Sequence, residues 1–230
     1  MKKNKLIWLI VLVVVVLLGV GAVIFWGKGI QDNLDQKKFE QLLQGKPDLL
    51  SKLEVVLTAE KNLTANEQEA GKYIDIGLKW KTIGELSNQN VFFEKSLAIF
   101  ERGIKKVGQK NILFYLDAGK IAERLGDFSK AENYYNNAIE IGPNYNDGYL
   151  ALAELYQLKM KKTTDEIIKV YDDGLKNVVR DGQLTLEKAS YLRKVGKNKE
   201  ALDLYKELSA GYPTNQGFKD VIKQLETLVK

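Results

Sequence analysis

Apolar residues recur along most of this chain at spacings of three and four, the signature of helices that bury one face. Tyr149, Leu152 and Tyr156 form one such stripe, and Tyr171, Gly174 and Leu175 form the next. The first 30 residues follow another rule. Leu6 to Trp26 runs for 21 residues without a charge, apolar on every side. The chain therefore reads as all-α: one unbroken apolar helix followed by a long series of amphipathic ones.

The amphipathic series repeats. Leu125, Gly126, Ala131, Tyr135 and Pro143 return as Val195, Gly196, Ala201, Tyr205 and Pro213, each 70 residues further on. Between them lies a related unit. Gly119 answers to Ala153 after 34 residues, whereas Tyr135 answers to Tyr171, and Ala138 to Gly174, after 36. Two extra residues thus fall in the turn KMKKTTDE (159–166), where Thr163 and Glu166 have the spacing of a capping box. Each unit is predicted to be two helices joined by a short turn. Small residues at Gly119, Ala153 and Ala189 would let paired helices approach, and Tyr135, Tyr171 and Tyr205 would fill the space between neighbouring units.

These residues resemble the tetratricopeptide repeat, a 34-residue helix-turn-helix with a small residue on its first helix, a Gly-Asp turn, an alanine and an aromatic on its second, and a closing proline. The unit 112–145 is most similar, through Tyr115, Gly119, Leu125, Gly126, Asp127, Ala131, Tyr135, Ala138 and Pro143. Units 146–181 and 182–215 match less fully: the first lacks the turn glycine and closing proline, and the second has Thr185 and Leu192 where aromatics are commoner. A further unit, 70–111, carries Tyr73, Gly77, Trp80, Phe100, Gly103 and Ile104. Its turn around residues 85–92 is expected to be longer by about seven. Before it, residues 31–69 read as a helical hairpin and linker. After the repeats, Phe218, Val221, Ile222, Leu225 and Leu228 in 216–230 form a capping helix for the last apolar face.

The resemblance implies a right-handed α-solenoid of helix-turn-helix repeats whose first helices line a groove for another protein or peptide. Its outward positions would be Lys81, Lys120, Glu123, Arg124, Asp147, Glu154, Ser190, Arg193 and Lys194. These charges are mixed in sign. The Lys/Asn/Arg clamp by which some members of the family hold an acidic C-terminus does not occur among them.

A helix over residues 6–26 would span about 31 Å, the thickness of a bilayer core. Trp8, Phe25 and Trp26 sit at its two ends, as interfacial aromatics do. Lys2, Lys3 and Lys5 precede it, and only Lys28 follows closely. That asymmetry predicts a cytoplasmic N-terminus and extracytoplasmic repeats. The expectation is a single-pass membrane protein, with a bacterial cell membrane as its setting. A cleavable signal peptide shares the lysines. Its apolar region is ordinarily about 7–15 residues, however, and cutting after Ala22 would leave Val-Ile-Phe-Trp at the new end, which favours a retained signal anchor within residues 1–30.

The net charge of +5 changes meaning once located. Lys2, Lys3, Lys5 and Lys28 supply four of it, without an acid in residues 1–30, so the other 200 residues carry only +1. A nearly neutral body has little electrostatic attraction for phosphate backbones, and no nucleic-acid partner is expected. The chain has no histidine and no cysteine, which removes the usual neutral-pH proton carriers, thiolates and most zinc ligands. Carboxylates such as Asp172 and Asp173, or Glu132 and Glu140, lie on amphipathic helices without a phosphate cradle. No catalytic residue, cofactor or metal is implied. The Asn62-Leu63-Thr64 sequon reads instead as a cap, with Thr64 and Glu67 opening the next helix. The function that the resemblance implies is a non-enzymatic adaptor of an envelope complex, or a chaperone-like accessory of protein secretion.

Overall fold

A computed structural model describes residues 34–63, 67–179 and 181–230. The expected span at residues 6–26 lies outside the described residues, and so does Thr64. Among the described residues no helix is long and apolar enough to cross a membrane. They contain helices and turns and no strand, an all-α arrangement.

The chain divides into two compact units between Ala59 and Glu60. In the first, α1 (34–42) is followed by the turn 43–46 and by α2 (Pro47–Lys61), whose last two residues fall in the second unit. Pro47 occupies the first helical position, where its missing N–H leaves no bond unmade. Phe39, Leu43, Leu49, Leu53 and Val56 are buried.

In the second unit, paired helices follow one another. The first pair is α3 (Ala70–Ser87) with α4 (Asn90–Lys106), and the second is α5 (Ile112–Leu125) with α6 (Phe128–Ile141). Then α7 (Asn146–Leu155), prolonged by one π-helical turn (Tyr156–Met160), pairs with α8 (Thr164–Asn177). Finally α9 (Gly182–Lys194) pairs with α10 (Asn198–Gly211), and α11 (Gln216–Leu228) closes the series. Each helix from α3 onward packs on the next. In addition α5 touches α7 and α7 touches α9, so the first helices of successive pairs lie side by side.

Close approach inside a pair depends on small residues. A Cβ built on Gly77 would lie 2.7 Å from Phe100 Cζ, and one on Gly119 would strike the Tyr135 ring. Tyr135 thus fills space within its own pair. Between pairs the pattern inverts at Gly103 of α4, which receives Phe114 of α5, while a Cβ on Gly174 of α8 would be met from both sides, by Tyr149 of its own pair at 3.0 Å and by Leu184 of α9 at 3.2 Å. Tyr171 and Tyr205 do reach across, to Tyr191 and Phe218 at ring separations of 6.3 and 6.2 Å. Each fully buried aromatic of this kind is worth about 1.5–3 kcal/mol of transfer free energy.

All four turns inside the pairs use a left-handed residue: Asn88, Gly126, Lys161 and Gly196. At Gly126 the following N–H, of Asp127, reaches back to Ala122 O (2.9 Å), and Lys197 does the same to Leu192 O (2.9 Å) after Gly196. Asp127 then caps α6 by accepting from Lys130 N at 3.1 Å. Thr163 and Glu166 form the capping box expected of them.

Beside Tyr135, which packs within its own pair and not between neighbouring units as expected, three further expectations need correction. The first pair has no lengthened turn at 85–92, because Asn88 turns the chain within two residues; its helices are longer instead, 18 and 17 residues against 14 and 14 in the second pair. The insertion in the third pair is divided: one extra residue is taken up by the π turn that begins at Tyr156, before the expected 159, and the other lies in the turn 161–163, within the expected stretch. Glu67 is not in the first turn of a helix: α3 begins at Ala70, and the Glu67 carboxylate instead accepts from Glu69 N (3.1 Å) and Lys72 Nζ (2.7 Å). At the other end α11 packs Phe218, Val221, Ile222 and Leu225 on the core around Tyr205, while Leu228 stays 64% exposed.

Candidate partner-binding face

The outward sides of α5, α7 and α9 form the surface on which most of the expected groove residues stand. Leu116, Leu150 and Leu186 recur on these helices with the same 34- and 36-residue displacements as the rest of the repeat; Leu150 lines a depression on this face, and Leu186 packs against the core around Tyr205. Leu116 is buried, and Leu150 and Leu186 are half-buried.

Polar groups on this face differ in how far the protein itself has engaged them. Lys81 pairs with Glu85 one turn along α3, at 3.6 Å. Lys120 is exposed and makes no ion pair among the described residues, but its charge and that of Lys81 act on Asp117. Burial raises the Asp117 carboxyl above the ordinary aspartate value, and the two lysines partly offset this. Glu123 accepts the phenolic hydrogen of Tyr135. Burial first, and this bond second, hold the Tyr135 phenol far above the ordinary tyrosine value. Arg124 is engaged at the turn edge: its guanidinium donates to Asn88 Oδ1 at 2.7 Å and lies 4.9 Å over the Phe93 ring. Ser190 Oγ lies 3.1 Å from the Tyr205 hydroxyl. Asp147, Glu154, Arg193 and Lys194 are exposed.

The clearest concavity on this face is a shallow depression of about 350 Å³ between α7 and α9. From the third pair come Leu150, Glu154, Gln157, Leu158 and the Tyr171 ring; α9 adds Gln183 and Glu187. Gln157 donates to the Tyr171 hydroxyl at 2.9 Å. The Tyr171 phenol is pushed up to about 12, by burial chiefly and then by the charge of Glu187. Only Glu154 of the expected groove residues belongs to this depression. Leu150 carried a legible signal, as an aliphatic that repeats in register yet is not fully buried. Gln157 carried one too, because it stands 34 residues after Glu123 and meets Tyr171 as Glu123 meets Tyr135; Leu158, where the preceding unit has Arg124, carried none.

No protein-family model matches the chain, and no curated protein matches it. Among solved structures it is similar to a tetratricopeptide repeat protein from Parabacteroides merdae ATCC 43184, with 18% identity, a TM-score of 0.56, and 86% of this chain and 74% of that one covered. It is also similar to MamA, at 16% identity and TM-score 0.52 over 66% of this chain and 84% of MamA. A third similarity is to YrrB, described as a TPR protein with an unusual peptide-binding site, at 15% identity and TM-score 0.51 over 74% and 82%. The paired helices, their glycine contacts and these likenesses together give the chain the fold of the tetratricopeptide-repeat proteins.

Proposed function

We propose that this chain is a membrane-anchored scaffold that holds another polypeptide against the outward side of its first helices, in the assembly of an envelope complex. In this reading residues 6–26 are a retained signal anchor, the N-terminus is cytoplasmic, and a right-handed solenoid of repeats stands outside the cytoplasm. The observation that carries it is the side-by-side packing of α5, α7 and α9, which makes one surface with exposed charges and the half-buried Leu150 in its depression. Such a surface offers apolar contact to an extended segment, while the charges set its register. YrrB, which shares the fold, is described as having a peptide-binding site, and that supports the same use here. With neither histidine nor cysteine in the chain, the reading assigns it no catalytic role.

Crosslinking capture from membranes containing the full chain tests the binding face. Lys120→Glu with Arg193→Glu should weaken capture of a stoichiometric partner, more so at low salt, while Lys176→Glu on α8 leaves it intact. Loss of capture only on changing Lys176 would refute the assignment of the face. Capture of many unfolded clients in place of one partner would favour the secretion accessory. Protease added to cells stripped of their outer barrier should digest the repeats; protection until the inner membrane is lysed would overturn the orientation.

A further inference from the structure

We propose that the depression between α7 and α9 is a specificity pocket for a lysine or arginine side chain of the bound polypeptide. This rests on the reading of the first-helix face as the binding surface, and adds to it the chemistry that one junction selects.

Charge is the first observation. Glu154 and Glu187 are both exposed at the depression, and neither makes an ion pair among the described residues. Elsewhere on this chain exposed carboxylates commonly find a lysine, as Asp172 does with Lys188 and Asp173 with Lys169. No lysine or arginine lines the depression. The corresponding positions of the preceding junction, by the 34- and 36-residue displacements, are Lys120 and Ala151. The paired carboxylates are therefore particular to this junction and are not a general feature of the repeat.

Shape is the second. Leu150, the 54%-exposed Leu158 and the Tyr171 ring supply apolar wall beside the two carboxylates. A lysine or arginine has this combination in one side chain, an aliphatic stem ending in a cation. A depression of about 350 Å³ has room for such a stem, which a bare ion would leave unfilled.

The third is the local backbone. Leu158 corresponds to Arg124, and Gln157 to Glu123. In the second pair those two are engaged, by Asn88 and Phe93 and by Tyr135. In the third pair Gln157 keeps the equivalent bond, to the Tyr171 hydroxyl, whereas Leu158, inside the π turn that starts at Tyr156, lies at the rim where the second pair has an engaged arginine. Single π turns inserted in α-helices are often found at binding sites, where they re-aim side chains.

The test is panning of a random decapeptide library against the full chain, followed by binding measurements on an enriched peptide. Enriched sequences should carry Lys or Arg beside an aliphatic residue, and changing that basic residue to norleucine should weaken binding tenfold or more. Glu154→Gln with Glu187→Gln should cause a similar loss, yet add little against the norleucine peptide, as expected if the groups form one interaction. A peptide carrying Glu at that position should regain binding to the Glu187→Lys chain. Enriched peptides without a basic residue, or equal binding of the basic peptide by the double-Gln chain, would overturn the pocket while leaving the binding face in place. If no peptide were enriched or bound, the face itself and the pocket on it would both be refuted.

Discussion

The second and third helix pairs have the same architecture and use their side chains differently. In α5/α6, Gly119 admits the Tyr135 ring, Gly126 turns the chain, and Glu123 and Arg124 are engaged by Tyr135, Asn88 and Phe93. In α7/α8, Ala153 takes the place of the glycine, Lys161 makes the turn after a π-helical segment, and Glu154 and Leu158 remain at the surface of a depression. Both pairs keep the bond between the end of the first helix and the second-helix tyrosine, Glu123 with Tyr135 and Gln157 with Tyr171, and both leave the register of Lys120 and Glu154 exposed. They differ at the next position, where Arg124 is held by the preceding pair and Leu158 is left at the rim of the depression.

The contrast should be most visible on filling the tight pair. Gly119→Val drives a branched side chain into the Tyr135 ring and should cost about 3 kcal/mol, whereas Ala153→Gly at the same register should lose only about 1–2 from helix propensity and a missing methyl. Urea unfolding of the full chain checks both, and equal losses would remove the distinction between the pairs.

Next in size is the phenol row. Tyr135→Phe strands the Glu123 carboxylate and should cost about 1.5–2 kcal/mol; Tyr171→Phe, whose partner is a neutral amide, should cost about 1. The two phenols also make stability sensitive to alkali. The Tyr171 phenol is raised to about 12, so above pH 10 the unfolded chain has lost this proton while the folded chain keeps it. Stability is therefore lost as pH rises from 10 through 12. Melting curves at pH 9, 10 and 11 should fall less steeply for Tyr171→Phe than for the parent chain.

A smaller effect, of opposite sign, belongs to the turn. Lys161 sits at φ 51°, a conformation that strains side-chain-bearing residues, and Lys161→Gly should raise stability by about 1 kcal/mol. A thermal melt unchanged or lowered by this substitution would mean that the π turn, and not the left-handed residue, sets the strain of the third pair.

Much of the fold was legible because small and aromatic residues return in register: Gly119 with Ala153, and Ala131 with Ala201, name the period, although Tyr135 was expected between units and packs on Gly119 within its own pair. What escaped were features in which backbone geometry substitutes for residue identity. Asn88 supplies the left-handed turn without a glycine, so the extra length of the first pair reads as loop when it is helix. The π turn leaves no compositional mark, so Leu158, which lies in it, reads as an ordinary helix position. Arg124 reads as a free groove cation because its partners, Asn88 and Phe93, belong to the preceding pair and lie over 30 residues away.

Photo-crosslinking in cells tests the central claim most directly. A photoreactive side chain is placed in turn at Lys120, Glu154 and Ser190, at one register of three successive first helices, and at Lys176 and Asp203, exposed on second helices. Binding on the first-helix face predicts the same discrete adduct from Lys120, Glu154 and Ser190 and none from Lys176 or Asp203. Adducts from the second helices alone would contradict it.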